Sequence, residues 1–189
     1  MAESKKHRSC ARSKRVPSFP GVELVFLNAD TVFPNNEALP LIVYAGVVGS
    51  DVGDMAAHFR RLFTGHGWTG CWVNGIYDFH HYHSTAHEVL GVSRGTGRVR
   101  FGGPDGYELE VQAGDVVLVP AGVAHKCLDA SNDFEVVGAY PKGQKPDMCY
   151  GRPGERPGAD ERIRAVGLPR QDPVHGPTGP VTAFWDAAT

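Results

Sequence analysis

Between residues 75 and 95 the chain places four of its nine histidines, His80, His81, His83 and His87, and sets Glu88 directly after them. Imidazole and carboxylate together make a donor set for a divalent transition metal, and two buried imidazoles on one face need such a partner. Read as extended chain, residues 76–83 alternate faces. Tyr77, Phe79, His81 and His83 then share a face, an apolar one with two imidazoles on it. Ile76, Asp78, His80 and Tyr82 share the other. After a turn at 84–86, a run from Glu88 to Ser93 puts Glu88, Leu90 and Val92 on one face, and antiparallel pairing would bring Glu88 to His83. His80 and His87 fall on the opposite parity, which suits them to supporting or subunit contacts. An irregular turn would let His87 take the place of Glu88.

A second stretch supplies a further imidazole. Ala113-Gly114-Asp115 reads as a turn, 116–119 as a short apolar strand, and Pro120-Ala121-Gly122 as its break, with the next strand beginning near His125. Cys127 shares a face with His125. It is either a packed small residue or a thiol lining the cavity.

These spacings resemble the cupin superfamily. Gly75, His81, His83, Glu88 and Gly95 fit its first motif, and Gly114, Pro120, Gly122 and His125 fit its second. Asp129 stands where the second motif ends in Asn, a position outside the ligand set. The wording from Asn74 to Glu88 is also similar to the small single-domain YjlB-like cupins. The resemblance implies that His81, His83, Glu88 and His125 hold one divalent transition metal (Fe, Mn, Ni, Co, Cu or Zn) inside a β-barrel. Four protein ligands on a six-coordinate ion would leave two adjacent positions for a substrate. Glu88 would be both ligand and catalytic residue, tuning the charge of the ion. Tyr77, Phe79, Leu90 and Phe101 would form the apolar wall, with Cys127 and His87 beside it.

The elements that must position these groups are mostly strands. Runs at 22–27 and 39–48 are β-rich. Residues 51–63 repeat apolar side chains at helical spacing, with Ser50 or Asp51 as cap. Segments 98–102 and 107–112 flank Gly103-Pro104-Asp105-Gly106 as a hairpin, and 134–140 is a last strong strand. Trp68 and Trp72 are expected at the barrel entrance or at a subunit contact. The expected fold class is therefore mainly all-β, a cupin-type double-stranded β-helix or jelly-roll barrel over 21–140 with one short N-terminal helix. Residues 1–20 carry six Lys and Arg against one acid and are expected to form a flexible basic tail. Residues 141–189 hold eight of the 14 prolines. They are expected to form an irregular Pro/Gly-rich tail wrapped on the barrel or a partner subunit, with a short edge strand at 163–166 and an anchor at Phe184 and Trp185.

A formal net charge of −2 gives no general pull toward nucleic acid or an anionic membrane. No apolar run is long enough to span a bilayer. Four cysteines without close pairing and no export signal lead to an expectation of reduced thiols in a cytoplasm. Gly91-Val92-Ser93-Arg94-Gly95 has the letters of a nucleophile elbow but lacks the helix that an elbow requires. The functional expectation is a metal-dependent enzyme, of dioxygenase or related oxidoreductase type, acting on a small oxygen-rich or carboxylate-bearing molecule. Open alternatives are a metal-assisted isomerase, epimerase or lyase, and a non-catalytic cupin that binds a metal or small ligand. The resemblance adds the expectation of a homodimer.

Overall fold

The computed structural model describes residues 11–16 and 18–185. Most of the basic N-terminal stretch and Cys10 lie outside that range. Among the described residues ten strands form two antiparallel sheets. The larger has the order β1 (Arg12–Arg15), β2 (Val22–Leu27), β3 (Asn36–Tyr44), β8 (Val116–Val119), β5 (Glu88–Arg94), β10 (Glu135–Pro141) and β4 (Trp68–Asn74). The smaller has the order β7 (Tyr107–Gln112), β6 (Thr96–Phe101) and β9 (His125–Ala130). This is a two-sheet jelly roll. Among the described residues no helix is long and apolar enough to cross a membrane.

Strand alternation divides the buried residues into two layers. Val25, Leu41, Val43, Leu90, Val92, Val117, Val119 and Val136 of the large sheet meet Val99, Phe101 and Val111 of the small one. Leu24, Ile42, Tyr44, Val89, Val116, Leu118, Val137 and Ala139 point the other way. There they pack under Phe59 and Phe63 of helix α1 (Met55–Gly65) and under Val181 and Trp185 near the C-terminus. A sheet covered on both faces needs apolar side chains of both parities, which is why 116–119 reads Val-Val-Leu-Val. Glu88 has the parity of Leu90 and Val92, so β5 aims it between the sheets.

Several expectations are corrected. Residues 76–83 form no regular strand; only His81 and Tyr82 make isolated bridges, to His125 and Cys149. Helix α1 begins later than its apolar spacing suggests. Asp54, whose carboxylate accepts from the Ala57 N–H at 2.9 Å, is the cap in place of Ser50 or Asp51. Arg12–Arg15 is not a loose tail but pairs along β2. Residues 163–166 form no edge strand, because 158–165 is helix α2 (Gly158–Ala165), with acids in its first turn and arginines in its last. Trp68 is not at an entrance. It is fully buried, and its indole N–H donates to the Gln171 carbonyl at 3.0 Å. A third short helix, α3 (Pro180–Phe184), ends at Trp185, whose indole N–H reaches the Pro40 carbonyl at 3.0 Å. Ser93 lies in mid-strand and donates to Glu135, with no elbow around it.

Candidate metal centre

The irregular stretch 75–87 is stitched into the barrel by its backbone. The His81 N–H donates to the His125 carbonyl at 3.2 Å, and the His125 N–H returns to His81 at 2.9 Å. The Gly122 N–H donates to the His83 carbonyl at 2.8 Å, and Tyr82 exchanges two bonds with Cys149. The Pro120-Ala121-Gly122 turn therefore both starts β9 and pins the His83 backbone. At Gly122 (φ +93°) a Cβ would strike the Asn35 carbonyl, so only glycine fits.

His81, His83 and His125 are buried, and one ring nitrogen of each lies within 4.8 Å of the others. Glu88 Oε2 lies 3.5 Å from both His83 Nε2 and His125 Nε2. In all three ligand candidates the other ring nitrogen faces a backbone carbonyl: Nδ1 of His81 on Phe79 (3.2 Å), of His125 on Val123 (3.2 Å), and of His83 on Asp147. A carbonyl only accepts, so each Nδ1 carries the proton and each Nε2 keeps its lone pair for the common point. This is the arrangement of metal-binding histidines, and the donor set fits one divalent ion.

Burial disfavours a charged imidazole, which pushes His81 below its ordinary value and His125 down to about 3. Burial is also the largest single effect on His83, but the Glu88 carboxylate and Asp147 together outweigh it and the value rises. Burial alone would lift the Glu88 carboxyl. His83, then His125 and the Tyr140 hydroxyl, bring it down to about 2. The site thus keeps one carboxylate ionised among imidazoles.

Two residues absent from the sequence reading complete the site. The Tyr140 hydroxyl lies near enough to Glu88 to help lower its carboxyl, and it accepts from the Trp72 indole N–H at 2.9 Å. Gly138 makes room for that indole, since a Cβ there would overlap it. Asp147 belongs to the Pro-rich C-terminal stretch. Its carboxylate accepts from the Ser84 N–H at 2.6 Å and from the Ser84 hydroxyl, which holds its own carbonyl on His83. The β10 run offers Tyr140 by parity with Val136, since the register shift beside it puts its extra residue on β4. Nothing periodic surrounds Asp147.

A cavity of about 310 Å³ opens onto the three histidines and Glu88, lined further by Trp72, Ile76, Tyr77, Leu90, Tyr140 and Met148. Leu90 and Tyr77 are where the sequence reading places them, although Tyr77 is exposed at the rim. Phe79 is not wall. It lies outside the cavity, 41% exposed, because the chain there is no strand. Phe101 is buried behind His125, ring centroids 6.2 Å apart, and does not line the cavity. Cys127 also lies outside the lining, its Sγ toward the Asp129 carbonyl at 3.5 Å. His87 faces the opposite layer, its ring tilted against Trp185 at 4.7 Å. Its Nδ1 accepts from the Ala121 N–H at 3.0 Å, the reverse tautomer to the three site histidines. It neither replaces Glu88 nor supports it. His80 packs against Phe33 at 5.4 Å, away from the centre.

The family model described as Cupin matches residues 74–142, which span both motifs. The uncharacterized protein YjlB of Bacillus subtilis (strain 168) is 41% identical over 160 residues, covering 85% of this chain and 94% of YjlB. The chain belongs to the cupin family. Solved structures similar to this cupin include an acireductone dioxygenase from Bacillus anthracis with a cadmium ion in its active center. It is 19% identical, matched over 49% of this chain and 64% of its own, at a TM-score of 0.35. RmlC from Streptococcus suis, in complex with dTDP-D-xylose, is 13% identical over 70% of each chain at 0.33. Likenesses this distant bear on neither the substrate nor the reaction of this cupin.

Proposed function

We propose that this cupin is a mononuclear metal-dependent enzyme, an oxidoreductase of dioxygenase type. His81, His83, Glu88 and His125 would hold one divalent transition metal, and a small oxygen-bearing substrate would bind beside it. The observation that carries the proposal is the shared tautomer: three Nδ1–H groups tied to carbonyls, three Nε2 lone pairs free, one carboxylate among them. The ion, when bound, supplies Lewis acidity or a redox couple. The chain's own part is to orient and to exclude water. Trp72 holds the Tyr140 hydroxyl, which favours the ionised Glu88 carboxylate, and Leu90, Ile76 and Met148 keep the cavity apolar.

The redox reading is favoured over isomerisation or elimination by what lines the cavity. Those reactions need a positioned base to take a proton from carbon. Among the described lining residues outside the four ligands, the only side chains of ordinary titratable chemistry are Tyr77 and Tyr140. Burial and the neighbouring Glu88 hold the Tyr140 phenol strongly protonated. Glu88 itself is engaged by two imidazoles and a phenol.

Protein purified without added ions should contain close to one transition metal per chain, and His81→Ala or His125→Ala should remove most of it. Full metal content in either variant would take that residue out of the centre. The Fe(II)-loaded protein should consume oxygen with a chelating substrate. Substrate turnover without oxygen uptake would overturn the oxidoreductase assignment in favour of isomerase or lyase chemistry.

A further inference from the structure

The cavity is chemically one-sided. Among the described residues that line it, Glu88 is the only acid and there is no Lys or Arg. A ligand with a second anionic group meets no guanidinium fork or ammonium in that lining, the usual means of holding phosphate or carboxylate; on the rim, the Arg152 guanidinium covers one face of the Tyr150 ring, 4.4 Å from its centroid. The polar groups are concentrated at the inner end, around the three imidazoles, Glu88 and Tyr140. Outward the lining turns to Trp72, Val73, Ile76, Tyr77 and Met148, with Asn74 as its one polar side chain among the described lining residues there.

The apolar surface does not stop at the mouth. The Tyr77 ring is edge-on to His81 at 5.2 Å and stacks on Phe79 at 4.8 Å, with 17° between planes. Phe79 meets Tyr150 at 5.9 Å. Tyr77, Phe79, Met148 and Tyr150 are all exposed, at 48%, 41%, 39% and 37%. Large apolar side chains are seldom clustered in solvent without a use. Here the cluster begins at a site histidine and runs to the surface. At about 310 Å³ the cavity is near the lower end of the roughly 300–1,000 Å³ usual for ligand pockets. Anything larger than a small head group must leave past Tyr77 and Met148, over those rings.

We propose that the substrate is a chelating head of two neighbouring oxygens on a flat, uncharged apolar or aromatic body, with the body lying on the Tyr77–Phe79–Tyr150 rings. This rests on the four-ligand metal reading above and narrows its substrate class. A phosphorylated, sugar-like or polycarboxylate substrate is disfavoured. The competing occupant of the rings is a second copy of this chain.

The test uses the full chain loaded with Zn(II), which binds chelators without turnover, and isothermal titration with three probes: catechol, 4-phenylcatechol and citrate. The phenyl ring should tighten binding about tenfold over catechol, the scale of one well-stacked aromatic contact. Phe79→Ala should abolish most of that gain, read as the ratio of 4-phenylcatechol to catechol affinity within the same variant. Tyr150→Ala should reduce the gain in part. Equal affinity for both catechols, a phenyl gain that survives Phe79→Ala, or citrate binding tighter than 4-phenylcatechol would overturn the proposal. So would a dimer in sedimentation that Phe79→Ala splits into monomers, which would assign the rings to a second copy. Elemental analysis separates the two readings. Zinc retained with no phenyl gain sinks this proposal alone, whereas no zinc retained sinks the metal centre and this proposal with it.

Discussion

At the scale of single residues, the chemistry turns on which nitrogen of each histidine carries its proton. His81 and His87 are six positions apart in one run, yet their backbones hold them in opposite tautomers. Motif spacing distinguishes them only through family resemblance; the physical difference is a carbonyl at Phe79 in one case and an N–H at Ala121 in the other. Proton and metal compete for the same lone pair. His83 is raised above the ordinary imidazole value by Glu88, so its proton is the hardest to displace. Metal affinity should therefore rise with pH, and on acidification its loss should begin above about pH 6.5, the ordinary imidazole value. Burial has lowered His81 and His125, so they add no loss until the medium is more acidic. Chelator competition across pH 5–8 measures this. An affinity flat down to pH 5 would mean His83 is not a ligand. His80→Ala, by contrast, should spare the metal, since its ring lies on Phe33. A loss equal to that of His81→Ala would put the parity of the stretch off by one.

At the scale of elements, the order of strands is readable and the joints between them are not. Runs such as 22–27, 107–112 and 116–119 appear in the structure at those positions, because apolar β-branched residues between turn signals have few other uses. The stretch 76–83 misleads because alternation needs only a two-residue period, not a paired strand. Its His81 and His83 still converge, held by bridges to β9 and Cys149 that no local pattern encodes. Asp147 is the clearest case. It sits 64 residues from His83 and controls the ring through a backbone carbonyl, while its carboxylate is fixed by Ser84 and lies 3.6 Å from Arg162 Nε. Asp147→Ala frees the strap that carries the carbonyl and should weaken metal binding about 10–100-fold, the usual effect of losing a partner that orients a ligand. Asp147→Asn keeps an acceptor for the Ser84 N–H and should fall between the two. A thermal shift without any change in metal affinity would reduce Asp147 to a structural tie.

At the scale of the whole molecule, the Pro-rich C-terminal stretch closes one layer of the fold and supplies the metal centre at the same time. Composition hides this, because proline and glycine suppress periodicity whether a segment is loose or tightly docked. Of the two anchors its sequence offered, Phe184 and Trp185, Trp185 is the one fully buried, against His87 and tied to Pro40. The layer it fills lies across the large sheet from the site, since Val89 faces it while Glu88 faces the cavity. Removing the indole should therefore separate stability from metal binding. Trp185→Ala should cost about 3–5 kcal/mol, the range for a large aromatic lost from a packed core, read as a lower denaturant midpoint at unchanged slope. Metal content below that midpoint should stay near the unsubstituted value. If the metal is lost while the protein is still folded, the two faces of the sheet are mechanically coupled, and the docked C-terminal stretch sets the ligand geometry through its whole length rather than through Asp147 alone.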